Sequence, residues 1–571
     1  MRLSITKSKN ATSLYVIKST YENGRRSTAV VEKLGTVVEL QKKLHGQDPI
    51  EWAKAYIAEL NRKEKEDNLE VIVKYSPSKF LAKDEQRFFN GGYLFLQQIY
   101  HGLGFDSICK DISKRHKFSF DLDAILSRLL YSRIIFPSSK RAMLELSQQF
   151  IERPPFELQH VYRALEVISK ETDYIQSALY TNSLKYANRN TSVLYYDCTN
   201  FFFEIEQEDG IKQYGVSKEH RPNPIVQMGL FMDGDGIPLA FCINKGNTNE
   251  QGTMKPLEKT ILKDFGLSKF IVCTDAGLAS EDNRKYNSLS TRAFITTQSI
   301  KKLKAHLKQW ALATTGWSSN DDKQTYDISK IDEEQHKNTV FFKERWINEN
   351  GFEQRLIVTY SIKYRNYHRT LRSAQVERAQ KMIQSKSFKL KKVNANDFKR
   401  FIAKTHCTQD GEVAQKTLYG IDKALISKEE AFDGFYGVCT NLSDPVSEII
   451  KINHRRWEIE ECFRIMKSEF KARPVYLSRE DRIKAHFTTC FLSLVLFRFL
   501  EKKLKEKYSF HEIIDGLRSM NFLEIKGSGL VPTYTRNDFT DDLHAAAGFR
   551  TDYQIMGSKQ VKKIIRLAKE R

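Results

Sequence analysis

The chain has 571 residues, 40% hydrophobic and 12% aromatic, which suits about three or four folded domains and excludes a chain disordered throughout. Lysine and arginine number 92 against 71 aspartates and glutamates, and the resulting net charge of +21 points to a polyanionic partner. Nucleic acid is favoured over an anionic membrane surface, because no isolated polybasic amphipathic helix stands out. The eight cysteines are scattered with no CxxC pair. That argues against a zinc site or disulfide framework and fits a reducing cytoplasm. MRLSITKSKN at the start has no apolar signal core.

In chain order, the first elements predicted are strands at Ser13–Ser19 and Ser27–Lys33 around an Asn23-Gly24 turn, a β-hairpin signature. A helical stretch follows from Val37 to Lys65, interrupted near Gly46–Pro49, and RKEKEDN reads as a linker or solvated helix end. Lys83 to Lys185 is helical in pattern. LDAILSRLLYSRIIF is stopped by Pro137-Ser138-Ser139, and VYRALEVI and DYIQSALYTNSL follow. Arg128, Arg133, Lys140 and Arg141 are interleaved there, as in a DNA-binding helical region or in an ordinary bundle with a solvated basic face; no helix-turn-helix signature is clear.

From Ser192 the period changes to short strands: VLYYD, PIVQMGLFMD and PLAFCIN, the last two joined by a hairpin at Asp233–Gly236. MKPLEKTILKDFG reads as a helix, FIVCTD as a buried strand, EDNRKYNSL as a short helix and AFITTQ as a strand. That order is expected of a ribonuclease H-like α/β core. Residues 299–432 leave the pattern, mixing TVFFKERW and RLIVTYSI with a charged helix, and read as an insertion. The chain is helical again from Asp444, with an apolar helix from Ala485 to Leu500. That helix contains His486 and Arg498 and falls short of the ~20 apolar residues of a membrane span, so it reads as a core helix. The end is mixed and closes on a basic helix, VKKIIRLAKER.

Two aspartates close predicted strands, Asp197 after VLYY and Asp275 after FIVCT. Strand ends are where α/β sheets place their sites, and carboxylates there suit a hard cation. Singly, each is as readily a turn or cap residue. NHRRWEIEECFRIMKSEFKARPVY supplies a third element. Ile459, Phe463 and Met466 form an apolar helical stripe, and Arg456, Glu460, Arg464 and Lys467 recur on an adjoining face. A carboxylate among cations suits a metal site facing DNA phosphates, although surface salt bridges would show the same spacing.

This last segment resembles the Tyr-Arg-Glu-Lys signature of the IS-four superfamily of bacterial DDE transposases: Tyr, two residues, Arg, three residues, Glu, six residues, Lys. Arg456, Glu460 and Lys467 fit, and Asn453 stands where the signature has Tyr. DCTNFFFE at Asp197, TDAGLAS at Asp275 and SKEHRPNPIVQMGLFMDGDGIPL resemble the family's other motifs, in order over about 190–500. SEFKARPVY followed by AH is similar to the IS-sixteen-thirty-four-like branch. The resemblance implies a ribonuclease H-like core interrupted by a mostly β insertion between Asp275 and Glu460. The layout expected is an N-terminal hairpin and helix (1–75), a helical DNA-binding region (76–190), core (191–298), insertion (299–432), core with the glutamate helix (433–506) and a C-terminal region (507–571).

The function implied is a cut-and-paste DNA transposase that cleaves inverted-repeat ends and joins them to target DNA, with hairpin ends on resemblance alone. It would use two Mg²⁺ (or Mn²⁺) ions held by Asp197, Asp275 and Glu460, with Asp197 shared. The family implies a homodimer on paired ends, in the bacterial cytoplasm at the nucleoid, with no membrane partner. Arg456, Lys467 and Arg464 are expected at DNA phosphates, together with Lys218 and Arg221 beside His220, and with Asn453 lacking the phenol. Trp457 is a stacking candidate, with core packing the slightly favoured alternative. His486, Cys462 and Cys273 read as core residues, and Asp433, Asp422 and Glu250 as acidic residues with only local position to recommend them. Two other readings stay open: a ribonuclease H-like nuclease or resolvase without strand transfer, and a decayed, non-enzymatic DNA-end-binding protein.

Overall fold

The computed structural model covers residues 1–571 and describes all of them except 9–10, 23–24, 45, 68–72, 74–75, 321–323, 386–396, 408–412 and 571. The chain divides into two compact units, Met1–Gln86 with Ile525–Gly529, and Arg87–Glu524 with Leu530–Arg571.

In the first unit, strands Thr12–Glu22 and Arg25–Thr36 pair antiparallel from Glu22↔Arg25 to Ser13↔Thr36. They include the expected hairpin strands; the Asn23-Gly24 turn lies outside the described residues. Arg2–Lys7, where Leu3 and Ile5 alternate with polar residues, adds a third strand that was not expected. Helices Val37–Lys43 and Pro49–Asp67 follow, with the break where Gly46–Pro49 predicted it. Thr36 starts the first helix with a capping box, bonding Glu39 reciprocally. RKEKED belongs to the end of the second helix.

The second unit is mixed α/β around a ten-stranded sheet. Its centre runs, in spatial order, Phe352–Tyr360, Phe435–Thr440, Ala293–Gln298, Ile271–Thr274, Val193–Phe202, Ile225–Asp233 and Pro238–Lys245. Val193–Phe202, Ile271–Thr274 and Ala293–Gln298 are parallel to one another, and the other pairings are antiparallel. Ile225–Asp233 is buried at every position, as an unbroken apolar strand should be when both faces are covered. Beyond Phe352–Tyr360 the sheet continues through Phe341–Glu349, Trp317–Ser319 and Thr325–Tyr326. The strands between 317 and 360 therefore extend the same sheet rather than forming one of their own. Helix Ile362–Gln384, the hairpin Ile402–Cys407 and Val413–Ile421, and helix Lys423–Glu430 complete the stretch before Phe435.

Helix Glu480–Lys503 is long and apolar enough to cross a membrane by composition, yet 94% of its apolar window is buried within the protein. It packs on helices Leu158–Lys170 and Leu122–Ile135 and on the strand Pro238–Lys245. The helical region corrects one expectation. Arg128, Arg133 and Lys140 are buried, and only Arg141 of the four is exposed. Arg128 stacks near Tyr93 and donates to the Glu152 carbonyl at 2.8 Å, and Arg133 donates to the Phe470 carbonyl at 3.0 Å. Helix Leu122–Ile135 is buried on nearly every side, so its Arg128 and Arg133 are drawn inward and donate to carbonyls.

Candidate active site

The strand carrying Asp197 does not end there; it runs on to Phe202, because Thr199, Phe201 and Phe202 continue a buried β run. The parallel pairing does end: its last partners are Tyr195 and Cys273. Two residues further in the same register, Asp197 stands level with Asp275, which follows Thr274 directly. Each aspartate thus sits where two neighbouring parallel strands part. Asp275 is fixed by N–H donors from Gly277 (3.0 Å) and Leu278 (3.1 Å), both to Oδ1. Asp197 accepts from the Cys198 N–H, also through Oδ1, at 2.7 Å. The Oδ2 atoms of both have no hydrogen-bond donor among the described residues.

The electrostatics show the two carboxylates acting on each other. Burial, with the charge of Asp275 adding to it, raises the Asp197 carboxyl to about 6 in spite of the lowering pull of Lys218, the Cys198 N–H and Arg456. Burial opposes the charge on Lys218, but Asp197 and Glu250 outweigh it and raise its pKa. Lys218 pairs with Glu250 at 3.3 Å and donates to the Cys198 carbonyl. Arg456 is likewise opposed by burial and held charged by Tyr436, Glu460 and Asp275. It pairs with Glu460 at 3.3 Å.

Glu460 lies in the first turn of helix Trp457–Arg464, with 59% of its side chain exposed. The expected continuous helix is broken: Val446–His454 ends, Arg455 and Arg456 turn, and the second helix begins. Tyr195 ties the first of these helices to the aspartate strand by donating to the Ile452 carbonyl at 2.9 Å. Ile459, Phe463 and Met466 are buried as their spacing predicted. A π turn at Ile465–Glu469 follows, unannounced by the sequence. It carries Lys467, which is placed over the Phe201 ring and 3.4 Å from Glu219. Burial and the nearby Lys218 push Lys467 down to about 8, while Asp197 pulls it back up.

The other candidates divide. Arg221 is exposed and stacks on Phe202, five residues along the strand from Asp197 and by strand alternation on its opposite face. Arg464 is not brought to the aspartates; it pairs with Glu461 and Glu469. Asn453 is buried, donating to the Tyr436 hydroxyl at 3.0 Å. Trp457 is 55% exposed, which overturns the core-packing alternative for it. His486 is buried and bonded to the Ala472 carbonyl, and burial raises the Cys273 and Cys462 thiols to about 12. Asp433 is clamped by Arg372, and Asp422 caps a helix. Tyr436 is the residue the sequence reading missed. It is distant in sequence and reaches Arg456 and Asn453 only through the pairing of its strand.

Among the described residues, only Asp541, His544 and Asp552 bring three ligand-type atoms within 4.8 Å of one another. That group is a charge-balanced network, because Arg536 and Arg550 pair with both aspartates. The His544 Nε2 accepts from the Thr551 N–H. Asp197, Asp275 and Glu460 are more open, with Glu460 drawn to Arg456.

Residues 190–496, a span that includes all three carboxylates, match the family described as a transposase DDE domain. The chain belongs to that family. No curated protein matches the transposase in sequence. A solved structure titled "Cryo-EM structure of piggyBac transposase synaptic complex with hairpin DNA (SNHP)" is similar over 76% of this chain and 82% of that one. The identity is 8% and the TM-score 0.36.

Proposed function

We propose that this DDE-family transposase cleaves DNA at the inverted-repeat ends of its element and joins the freed 3′-hydroxyls to target DNA. The observation that carries the reading is the setting of Asp197 and Asp275 at the parting of two parallel strands, with Arg456 linking Asp275 to Glu460. Two carboxylates with free oxygens, and a third on an exposed helix turn, fit a divalent ion that takes few protein oxygens, so we assign Mg²⁺ or Mn²⁺ to Asp197, Asp275 and Glu460. Two such ions supply activation of the attacking water or 3′-hydroxyl and neutralise the leaving oxygen.

The chain's own residues do the rest. Asp197 and Asp275 are each oriented through Oδ1 by backbone N–H donors, which leaves their Oδ2 atoms to bind an ion. Arg456, Lys467 and Lys218 place positive charge where strand phosphates would lie. Trp457, which is exposed, extends that surface, and exposed Arg221 offers DNA a further cation from the other face of the strand. Asn453 acts indirectly, by orienting the Tyr436 hydroxyl. Within this proposal the core is ribonuclease H-like and the chain belongs to the IS-four group, acting by cut-and-paste as a homodimer on paired ends.

The deciding experiment supplies matched terminal-repeat duplexes, taken from the DNA flanking the gene, and a target plasmid with Mg²⁺. Covalent joining of both ends to the plasmid is expected. Cleavage without joining would reduce the protein to a nuclease, and binding without either would make it an end-binding protein.

A further inference from the structure

A second basic feature lies off the carboxylate cleft. A cavity of about 370 Å³ opens between the start of helix Lys140–Ser147 and the segment Lys471–Leu477. Arg133, Lys140, Lys471 and Arg473 line it, and no aspartate or glutamate does. Arg473 is turned to Glu219, a carboxylate that also serves Lys467. The other three pair with no carboxylate among the described residues: Arg133 donates to the Phe470 carbonyl and Lys471 is exposed. Lys140 is only 6% exposed and makes no hydrogen bond or ion pair among the described residues. Its principal charged neighbour is Arg133, a like charge, and burial lowers its pKa to about 7. Arg133, equally buried, has an Nε with no partner. His486, also at the wall, is held neutral by burial and by these same cations.

A buried ammonium beside a guanidinium with no counter-charge is unfavourable, so Lys140 gives up its proton near neutral pH unless an anion in the cavity holds it charged. The walls say which anion. Tyr162 lines the cavity, and Tyr476, whose ring is 78% exposed, stands beside it. The apolar surface suits a sugar or base edge as well as the phosphate itself. The pocket is also tied to the catalytic strand: Val475 bridges to Phe203 and donates to the Phe202 carbonyl at 3.3 Å. Phe203 follows the end of that strand, six residue steps from Asp197.

We propose that this cavity is a phosphate-binding site, with Arg133, Lys140 and Lys471 as its cations, and that it seats a strand phosphate of bound DNA outside the carboxylate cleft. The strand source rests on the function proposed above; the phosphate chemistry does not.

The test uses the full chain and a random-sequence 30-base-pair duplex, with affinity measured across a salt series for the unaltered chain, Lys140→Met and Lys471→Met. Each variant is expected to bind more weakly, with the log-affinity against log-salt slope shallower by about one. Lys140→Met should melt no lower than the parent, because it removes an uncompensated charge; a purely structural lysine would lower the midpoint. A parallel arm titrates inorganic phosphate at constant ionic strength and reads thermal midpoints. Phosphate stabilisation lost in the variants, with DNA slopes unchanged, keeps the pocket but makes its occupant a free phosphate. Unchanged slopes together with an unchanged phosphate response overturn the proposal. If Lys140→Met does not fold, Lys471→Met, at an exposed position, decides alone. Failure of the parent chain to bind duplex would instead refute the DNA reading, leaving the phosphate arm to judge the pocket.

Discussion

At the residue scale, Asp197 trades stability for a site. Its carboxyl is buried and faces Asp275, so the folded chain holds its proton more tightly than the unfolded chain does. A rise from 3.8 to about 6 means that stability falls as pH climbs from about 4 to about 6, and that the loss is complete above it, at about 3 kcal/mol. Asp197→Asn should therefore stabilise the metal-free chain at pH 7 by up to about 3 kcal/mol and leave it unchanged below pH 4, read by urea melts in chelator. No gain at pH 7 would contradict the burial argument. Trp457 offers a test in the other direction. Its indole is exposed, so Trp457→Ala should change stability by no more than about 0.5 kcal/mol. If the ring stacks on a base, the variant should bind hairpin-tipped or single-stranded oligonucleotide about 10- to 100-fold more weakly, the equivalent of about 1–3 kcal/mol. Unchanged affinity in a fluorescence titration would remove Trp457 from the DNA surface.

At the element scale, the glutamate helix is set against the hairpin after the aspartate strand. Glu458 pairs with Arg455 at 2.8 Å and lies 3.8 Å from Arg498, which donates to the Gly236 carbonyl at 2.9 Å. Gly236 has φ +81°, and an added Cβ would meet Glu458 Oε2 at 2.2 Å and Arg498 at 2.7 Å. Gly236→Ala should cost about 1–3 kcal/mol and, by shifting the helix that carries Glu460, lower DNA cleavage more than DNA binding. Equal losses in both, followed by gel shift and nicking on one substrate, would show that the helix position does not matter. The core strands and helices around this point were legible in the sequence because each is a strongly periodic or unbroken apolar run. The turn at Arg455-Arg456 and the π turn at Lys467 were not. The π turn occurs inside the apolar stripe of Ile459, Phe463 and Met466 and the Arg455-Arg456 turn just before it, in a segment of unbroken helix propensity, and packing against the sheet decides where such a segment bends. Arg2–Lys7 is a different case: Leu3 and Ile5 do alternate with polar residues, but the run is only six residues long and it is the pairing with Thr12–Glu22 that makes it a strand.

At the scale of the whole molecule, the charge of +21 does not map simply onto a surface. Arg128, Arg133 and Lys140 looked like a basic face and are buried. The three carboxylates, by contrast, stood out in the sequence, although Asp197 lies within its strand and not at its end as expected, and the span of the family match includes them all. What spacing could not show is the non-local pairing that sets Phe435–Thr440 between Ala293–Gln298 and Phe352–Tyr360. That pairing brings Tyr436 to Arg456 and folds the insertion's strands into the core sheet. The central claim is that Asp197, Asp275 and Glu460 together hold the catalytic metal. Its most direct test is Mg²⁺-dependent cleavage of a plasmid bearing the element's own ends, by the parent chain and by Asp197→Asn, Asp275→Asn and Glu460→Gln. The account predicts that each variant still binds the ends and loses cleavage by a factor of about 10³ or more, equivalent to about 4 kcal/mol of transition-state stabilisation. Cleavage at near-parent rate by any one of the three would contradict it.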